Sequence, residues 1–500
     1  MILRPTLNDI KIIGFYLSKI MIGIAIAMIV PFFVSIIYKE WNPCLDYLIG
    51  IFFSLSLAFI VNFLCYTKKK LLFKNALIIT SLSWLVAMFL SAIPLFFSNH
   101  FYSYLDACFE TMSGFATTGL SLACDLDHLA MGHNMWRHFI MFIGGQGIVI
   151  GVLLVIGKTT GALGMYIGEA REEKILPNIL GTAKFIWIVS IFYVALSSIF
   201  LWISFCKGGL KWDLSLFHSI WIAMAGWDTG GFGPQSQNIL FYHNFWAEVI
   251  IIVTMLTGAI NFALHYVVWN GTKKEIYKNI EIKIFVMTIF FTFFITLIGL
   301  IKMADYNNTL ILFRKGFFHL ISAHTGTGYG TLYATQFSKN WTQLATYGLI
   351  IAMGIGGCAC STTGGIKTLR IGIILKVFYQ QIKTTISSDM SIFISKIHHI
   401  KNLILDDAMA KNALLITFCY FIIYFLGTIV GMFYNYSFID SLFESTSAAA
   451  NVGLSCGITT PSMPCLLKII YIFEMWAGRL EFVSIFAFIG FFVALIKGKK

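Results

Sequence analysis

Charge is scarce in this chain: of 500 residues only 12% are Asp, Glu, Lys or Arg, while 58% are hydrophobic. An ordinary soluble domain, in which about a quarter of the residues are charged, is excluded by that balance. Metal-spaced cysteines are missing too. Ten cysteines, including Cys44, Cys65, Cys358, Cys360 and Cys419, are scattered without a CxxC pair, and apolar packing is the simpler reading of them. An external disulfide among Cys108, Cys124, Cys456 and Cys465 is the alternative. Neither HExxH nor GxxxxGKS/T occurs, so nucleotide handling, where it occurs, belongs to a partner. The eleven histidines are dispersed: His128, His133 and His138 near one loop, His218 and His319 on short helices, His265 alone, His398 and His399 together. A membrane-embedded enzyme would need catalytic carboxylates or histidines at i, i+4 spacing, and is the remote alternative.

Long apolar runs take the place of charge. A hydrocarbon core of about 30 Å needs roughly 20 residues per crossing, and about ten runs suffice: near 12–37, 45–66, 75–97, 135–157, 185–206, 243–269, 282–302, 341–377, 412–434 and 466–496. The first is too long for a cleavable signal sequence and is read as a true crossing. Ten crossings put both termini on one side. The net charge of +12 follows the same division. Arg4, Lys11, the 68–74 cluster, 158–184, 273–283, 367–411 and the 497–500 tail share one face, about two-thirds of all Lys and Arg, which marks that face as cytoplasmic. No nucleic-acid partner is needed to explain the basicity.

Between these runs a unit recurs four times: long apolar segment, short helix, glycine-centred tetrad, long apolar segment. The tetrads are Thr117-Thr118-Gly119-Leu120, Thr229-Gly230-Gly231-Phe232, Gly326-Thr327-Gly328-Tyr329 and Asn451-Val452-Gly453-Leu454. Phe109-Glu110, Phe318-His319 and Phe443-Glu444 precede their glycines at one distance, whereas Phe217-His218 stands four residues further back, about one helical turn. The short segments near 104–116, 214–227, 312–324 and 438–450 cannot span a bilayer and read as re-entrant helices. Their C-terminal ends, partially negative, would meet near the membrane centre and favour a cation. Four glycine loops on one axis could supply a ring of peptide oxygens to a dehydrated cation. A fourfold parallel repeat suits conduction better than two inverted halves do.

Two further features stand out. The 341–377 run would reach roughly 55 Å as one helix, so something breaks it. The segment Gly356, Gly357, Cys358, Ala359, Cys360, Ser361, Thr362, Thr363, Gly364, Gly365 is small and helix-poor enough to unwind into a loop beneath the third tetrad; close helix packing is the alternative. Arg479 lies inside the last apolar run, where an arginine signals a polar interior. It reads as a barrier to resting cations, with an ion pair to Glu481 or another carboxylate as the structural alternative.

Together with Arg370, the 261–266 run Asn-Phe-Ala-Leu-His-Tyr and Gly478-Arg479-Leu480-Glu481, these motifs resemble the TrkH/TrkG branch of the Trk/Ktr/HKT potassium-transporter superfamily over nearly the whole chain. The resemblance implies an all-α polytopic membrane protein: an N-terminal helix pair (1–72) and four helix, pore-helix, helix repeats (73–160, 161–272, 273–405 with a broken second helix, and 406–500). It implies K+ uptake across a bacterial inner membrane, with no organic cofactor. It also implies a homodimer and a cytosolic, nucleotide-binding TrkA-type ring meeting the basic 367–411 stretch. Carried over by residue, ion coordination falls on the backbone of Thr117, Thr118, Gly119, Thr229, Gly230, Gly231, Gly326, Thr327, Gly328, Asn451, Val452 and Gly453. The gate falls on residues 356–365 and the cavity charge on Arg479. Asp228, where the family more often has a small or neutral residue, and His324 in the third loop are candidates for tuning ion affinity; for Asp228 the alternative is a local hydrogen bond that locks the loop. Sodium permeation or coupled symport on the same fold is the functional alternative.

Overall fold

A computed structural model of the protein describes residues 4–148, 151, 162–171, 175–176, 178–301, 309–388 and 395–498. Among the described residues six helices are long and apolar enough to cross a membrane unaided: Leu7–Ile37, with a turn at Met28, Trp41–Cys65, Phe73–Phe97, Ile179–Lys207, Ile280–Ile301 and Asp407–Phe433. Two further crossings are bent pairs, Phe245–Gly258 with Phe262–Trp269 at 97° and Cys465–Arg479 with Val483–Lys497 at 113°. The overlong run is split into Gln343–Gly354 and Thr368–Thr385. Another expected crossing starts as Met131–Gln146; of its continuation, residues 149–150 and 152–157 lie outside the described residues, as do Lys158, Lys174 and the last two lysines.

Four short helices alternate with these: Tyr104–Phe115, Trp212–Trp227, Thr309–His324 and Phe438–Ala449. The first and fourth start alike. Ser103 and Ser437 accept the N–H of Asp106 and Asp440 at 3.2 and 3.1 Å, an N-cap followed by an acid in the positive first turn. Each helix that follows a tetrad breaks beside glycine. A Cβ on Gly144, Gly258 or Gly478 would overlap the carbonyl oxygen of Phe115, Trp227 or Ala449, the last residue of the neighbouring short helix. Only a bare backbone can dock there.

The core gathers round the short helices. Phe109, Phe115 and Phe443 share one buried cluster with Trp84 and Trp136, and Trp221 and Trp227 share another with Phe318 and Tyr329. Outer faces carry exposed apolar side chains such as Phe52, Phe59 and Phe63, as a hydrocarbon surrounding demands. The N-terminal pair packs on itself and on Phe73–Phe97. One element departs from the all-α expectation: Lys396–His399 and Lys401–Ile404 form an antiparallel two-stranded hairpin. All ten cysteines are free, which removes the external disulfide alternative.

Candidate functional site: four glycine loops in a ring

Each tetrad leaves its helix by the same hydrogen bonds. The N–H of the first residue (Thr117, Thr229, Gly326, Asn451) donates to the carbonyl three residues back at 3.0–3.3 Å, and that of the second (Thr118, Gly230, Thr327, Val452) to the carbonyl five residues back at 2.8 Å. First and third positions are left-handed: φ is 53°, 51°, 68° and 55° at the former, and 91°, 69°, 81° and 92° at Gly119, Gly231, Gly328 and Gly453. Three of the first positions are not glycine, and such strain concentrates where a site needs it. Asn451 is held by bonds from its Nδ2 to Thr118 Oγ1 and the Met475 carbonyl, at 3.0 and 2.9 Å.

The four loops touch in cyclic order. A Cβ on Gly119 would overlap the carbonyl oxygen of Gly230; on Gly231, that of Thr327; on Gly328, that of Val452; and on Gly453, that of Thr118. Each third-position glycine thus abuts a second-position oxygen of the next loop, and the fourth returns to the first. The loops therefore surround a common centre.

Behind the ring a second pattern repeats. Glu110 accepts the Leu122 N–H at 2.9 Å, His319 Nε2 accepts the Thr331 N–H at 3.1 Å, and Glu444 accepts the Cys456 N–H at 2.9 Å. In every case an acceptor nine residues before the glycine takes the N–H three residues after it. In the second repeat those positions are Ile222 and Pro234, and proline has no N–H to satisfy. Phe217-His218 is therefore not the counterpart of Phe109-Glu110; Trp221-Ile222 is. The extra turn sits at the start of Trp212–Trp227, and His218 faces Tyr242, Nδ1 to hydroxyl 2.7 Å. Glu110 also binds Arg137 Nε at 2.7 Å; that guanidinium donates to the Gly233 carbonyl at 3.2 Å and covers the Phe232 ring. The first repeat thus braces the second loop from behind.

The two proposed tuning residues are placed differently from the ring. Asp228 is fully buried, and its Oδ1 accepts Gln146 Nε2 at 2.7 Å, the amide being oriented by Ser190 Oγ on Gln146 Oε1 at 2.8 Å. His324 Nε2 lies 2.9 Å from Thr288 Oγ1 on the Ile280–Ile301 helix. The histidines near the first loop are not brought together: His128 pairs with Asp125, and His133 with Asp46. His265 Nε2 sits 3.0 Å from the Thr257 carbonyl.

Residues 356–365 form a non-helical segment under the ring. It is pinned at its ends by a backbone bridge of Ile355 with Ile366. Its middle meets the second repeat, where the Cys358 N–H reaches the Ala259 carbonyl at 3.0 Å, and Thr362 Oγ1 lies 3.0 Å from the carbonyls of Trp227 and Gly258 and 3.2 Å from Thr229 Oγ1. On the fourth repeat, Gly364 approaches the Ala450 carbonyl so closely that no Cβ fits.

Arg479 closes the arrangement. Nη1 donates to the Thr362 carbonyl at 2.6 Å and to Thr117 Oγ1 at 3.2 Å, and Nη2 to the Gly144 and Gly145 carbonyls at 2.7 and 3.2 Å. A planar fork of donors suits such a junction of oxygens, and lysine would not reproduce it. The ion pair with Glu481, the structural alternative for this residue, is not made. Glu481 instead pairs with Arg370 and, at 3.6 Å, with Lys367. This pairing joins the exit of the 356–365 segment to the break in the last helix, beside a cavity of about 130 Å³. Sequence reasoning quoted Lys367 and Arg370 without pairing them, and missed Gln146, Arg137 and Glu281. For Arg137 and Glu281 an ionisable residue at the edge of an apolar run was the available signal; Gln146, an uncharged amide inside such a run, gave none.

A family model described as TrkH, cation transport protein, matches residues 43–490. An uncharacterized cation transporter of Methanocaldococcus jannaschii is 32% identical over 489 residues, covering 97% of this chain and 96% of the relative. The Trk system potassium uptake protein TrkG of Escherichia coli is 27% identical over 494 residues, covering 94% and 95%. Among solved structures, the potassium transporter TrkH from Vibrio parahaemolyticus shares the fold with a TM-score of 0.79 at 22% identity, over 96% of this chain and 97% of that one.

Proposed function

The chain belongs to the TrkH family of cation transport proteins, a family of transporters and not of enzymes, and from that premise we propose that it carries K+ into the cell through the ring. The peptide oxygens of Thr117, Thr118, Gly119, Thr229, Gly230, Gly231, Gly326, Thr327, Gly328, Asn451, Val452 and Gly453 replace the water shell of the ion. The supporting observation is the closed cycle of glycine-to-oxygen contacts among the four loops, since a carbonyl ring of this kind selects cations without any charged side chain. The names of the relatives in Escherichia coli and Vibrio parahaemolyticus point to potassium. Residues 356–365 act as the gate and Arg479 holds that gate under the ring, adding a fixed positive charge. Asp228 and His324 act at one remove, by fixing the second and third loops.

We further propose the division into an N-terminal pair, 1–72, and repeats at 73–160, 161–272, 273–405 and 406–500. The protein resides in the cytoplasmic membrane, the bacterial inner membrane by the sequence expectation, with both ends inside. It works as a homodimer with a TrkA-like nucleotide-binding ring against the basic 367–411 stretch. The test is growth at limiting K+ of an uptake-deficient bacterium expressing this chain, with and without such a ring protein, followed by Rb+ and Na+ fluxes. Rescue with Rb+ flux well above Na+ flux is expected. Equal fluxes, or no rescue by correctly inserted protein, would overturn the potassium reading.

A further inference from the structure

Glu281 stands at the start of the Ile280–Ile301 helix and is fully buried. Its two oxygens serve three separate parts of the chain. Oε1 accepts the N–H of Ala359, in the 356–365 segment, at 2.6 Å. Oε2 accepts Asn261 Nδ2 at 3.1 Å, and Asn261 in turn caps the second half of the bent pair through the Ala263 N–H at 2.8 Å. The same Oε2 lies 3.6 Å from Nδ1 of His399, the last residue of the first hairpin strand. The hairpin is seated by its other neighbours as well. His398 Nε2 is 2.8 Å from Glu275 Oε1, and buried Ile397 packs with Ile280, Ile373 and Ala413.

The hairpin lies in the connection between the helix that leaves the 356–365 segment, Thr368–Thr385, and the next crossing, Asp407–Phe433. Any force on that connection reaches the segment by two routes: along the helix, and through His399 and Glu281 to the Ala359 amide. A buried carboxylate that accepts a backbone N–H makes a short, strong bond, and losing it strands the buried Glu281 oxygen as well as the half-buried Ala359 N–H. The Glu281–Ala359 link of the second route is therefore strong; at the hairpin end the 3.6 Å approach of His399 is backed by Asn279, whose Oδ1 accepts the Glu281 N–H at 2.9 Å and lies 3.3 Å from His399 Nδ1.

Resting on the reading of 356–365 as the gate, we propose that Glu281 is a positioning residue that couples the hairpin at 396–404 to the gate. A seated hairpin holds the Ala359 amide and keeps the segment under the ring; a displaced hairpin frees it. The role needs no contact between Glu281 and the ion.

The test uses the full chain in liposomes, with passive Rb+ flux normalised to correctly folded protein. Glu281→Ala, and separately a Gly/Ser replacement of residues 396–404 at equal length, should each raise flux about tenfold or more, the scale of one lost charge-assisted bond. The double variant should exceed neither single by much, because both cut one route. Multiplying effects would overturn the coupling. Should Glu281→Ala fail to fold, Glu281→Met takes its place: it keeps the length of the side chain but offers no oxygen to the donors of Ala359 and Asn261, and should leak likewise. Deleting residues 356–365 separates the two readings. If the deletion leaks while the Glu281 variants do not, the coupling fails and the gate stands; if the deletion does not leak, the gate reading fails and the coupling with it.

Discussion

At Gly119 a side chain meets two obstacles: φ of +91° and the Gly230 carbonyl oxygen, which a Cβ would overlap. Gly119→Ser must therefore push that oxygen outward, deforming two adjacent quarters of the ring at once. We expect the ratio of Na+ to K+ permeability to rise about tenfold, a loss of ~1.4 kcal/mol in discrimination, read by competing ion fluxes; an unchanged ratio would count against carbonyl selectivity here. Behind the ring, Arg137→Ala strands the buried Glu110 carboxylate. Breaking such a pair costs about 3–5 kcal/mol, so the yield of thermally stable protein should fall sharply in a detergent melting assay, with Glu110→Ala similar. The tetrads were legible in the sequence because left-handed backbone demands glycine and their spacing repeats. The counterpart of Glu110 in the second repeat was not, because Ile222 makes sense only once Pro234 is seen to lack the N–H that needs an acceptor. Asp228 was conspicuous as a charge, but its partner Gln146 comes from a different repeat.

At the scale of elements, the fourth apolar run, the 356–365 segment and the bent pairs belong to one theme: every helix after a tetrad breaks beside glycine. The overlong run revealed one such break by length alone. The others were hidden, since a bent pair has the same total length as a straight crossing. Arg479 was legible as a charge out of place, yet its partners were not, because four oxygens from distant turns leave no trace in composition. Its bonds to Thr362 and Thr117 argue for a tether. Arg479→Ala should raise K+ flux severalfold with the protein still folded, and Arg479→Lys should leak partway, since one ammonium cannot serve all four oxygens; liposome flux beside size-exclusion profiles checks both. Deleting residues 356–365 should give a leak indifferent to a TrkA-like partner, and a tight pore would make the segment mere packing. The hairpin at 396–404 went unforeseen because its two strands are four residues each, without apolar alternation.

For the molecule as a whole, the contact that joins the fourth loop to the first spans most of the length of the chain. Asn451 reaches Thr118 across 333 positions, and contacts so distant in sequence form late. Until residue 453 has been made and inserted, the growing polypeptide owns three walls of a conduit and a seam open to lipid. A half-made copy therefore presents the oxygens of three loops without the neighbour that closes their circle, and the helix carrying Arg479 comes later still, after the loop it stands beneath.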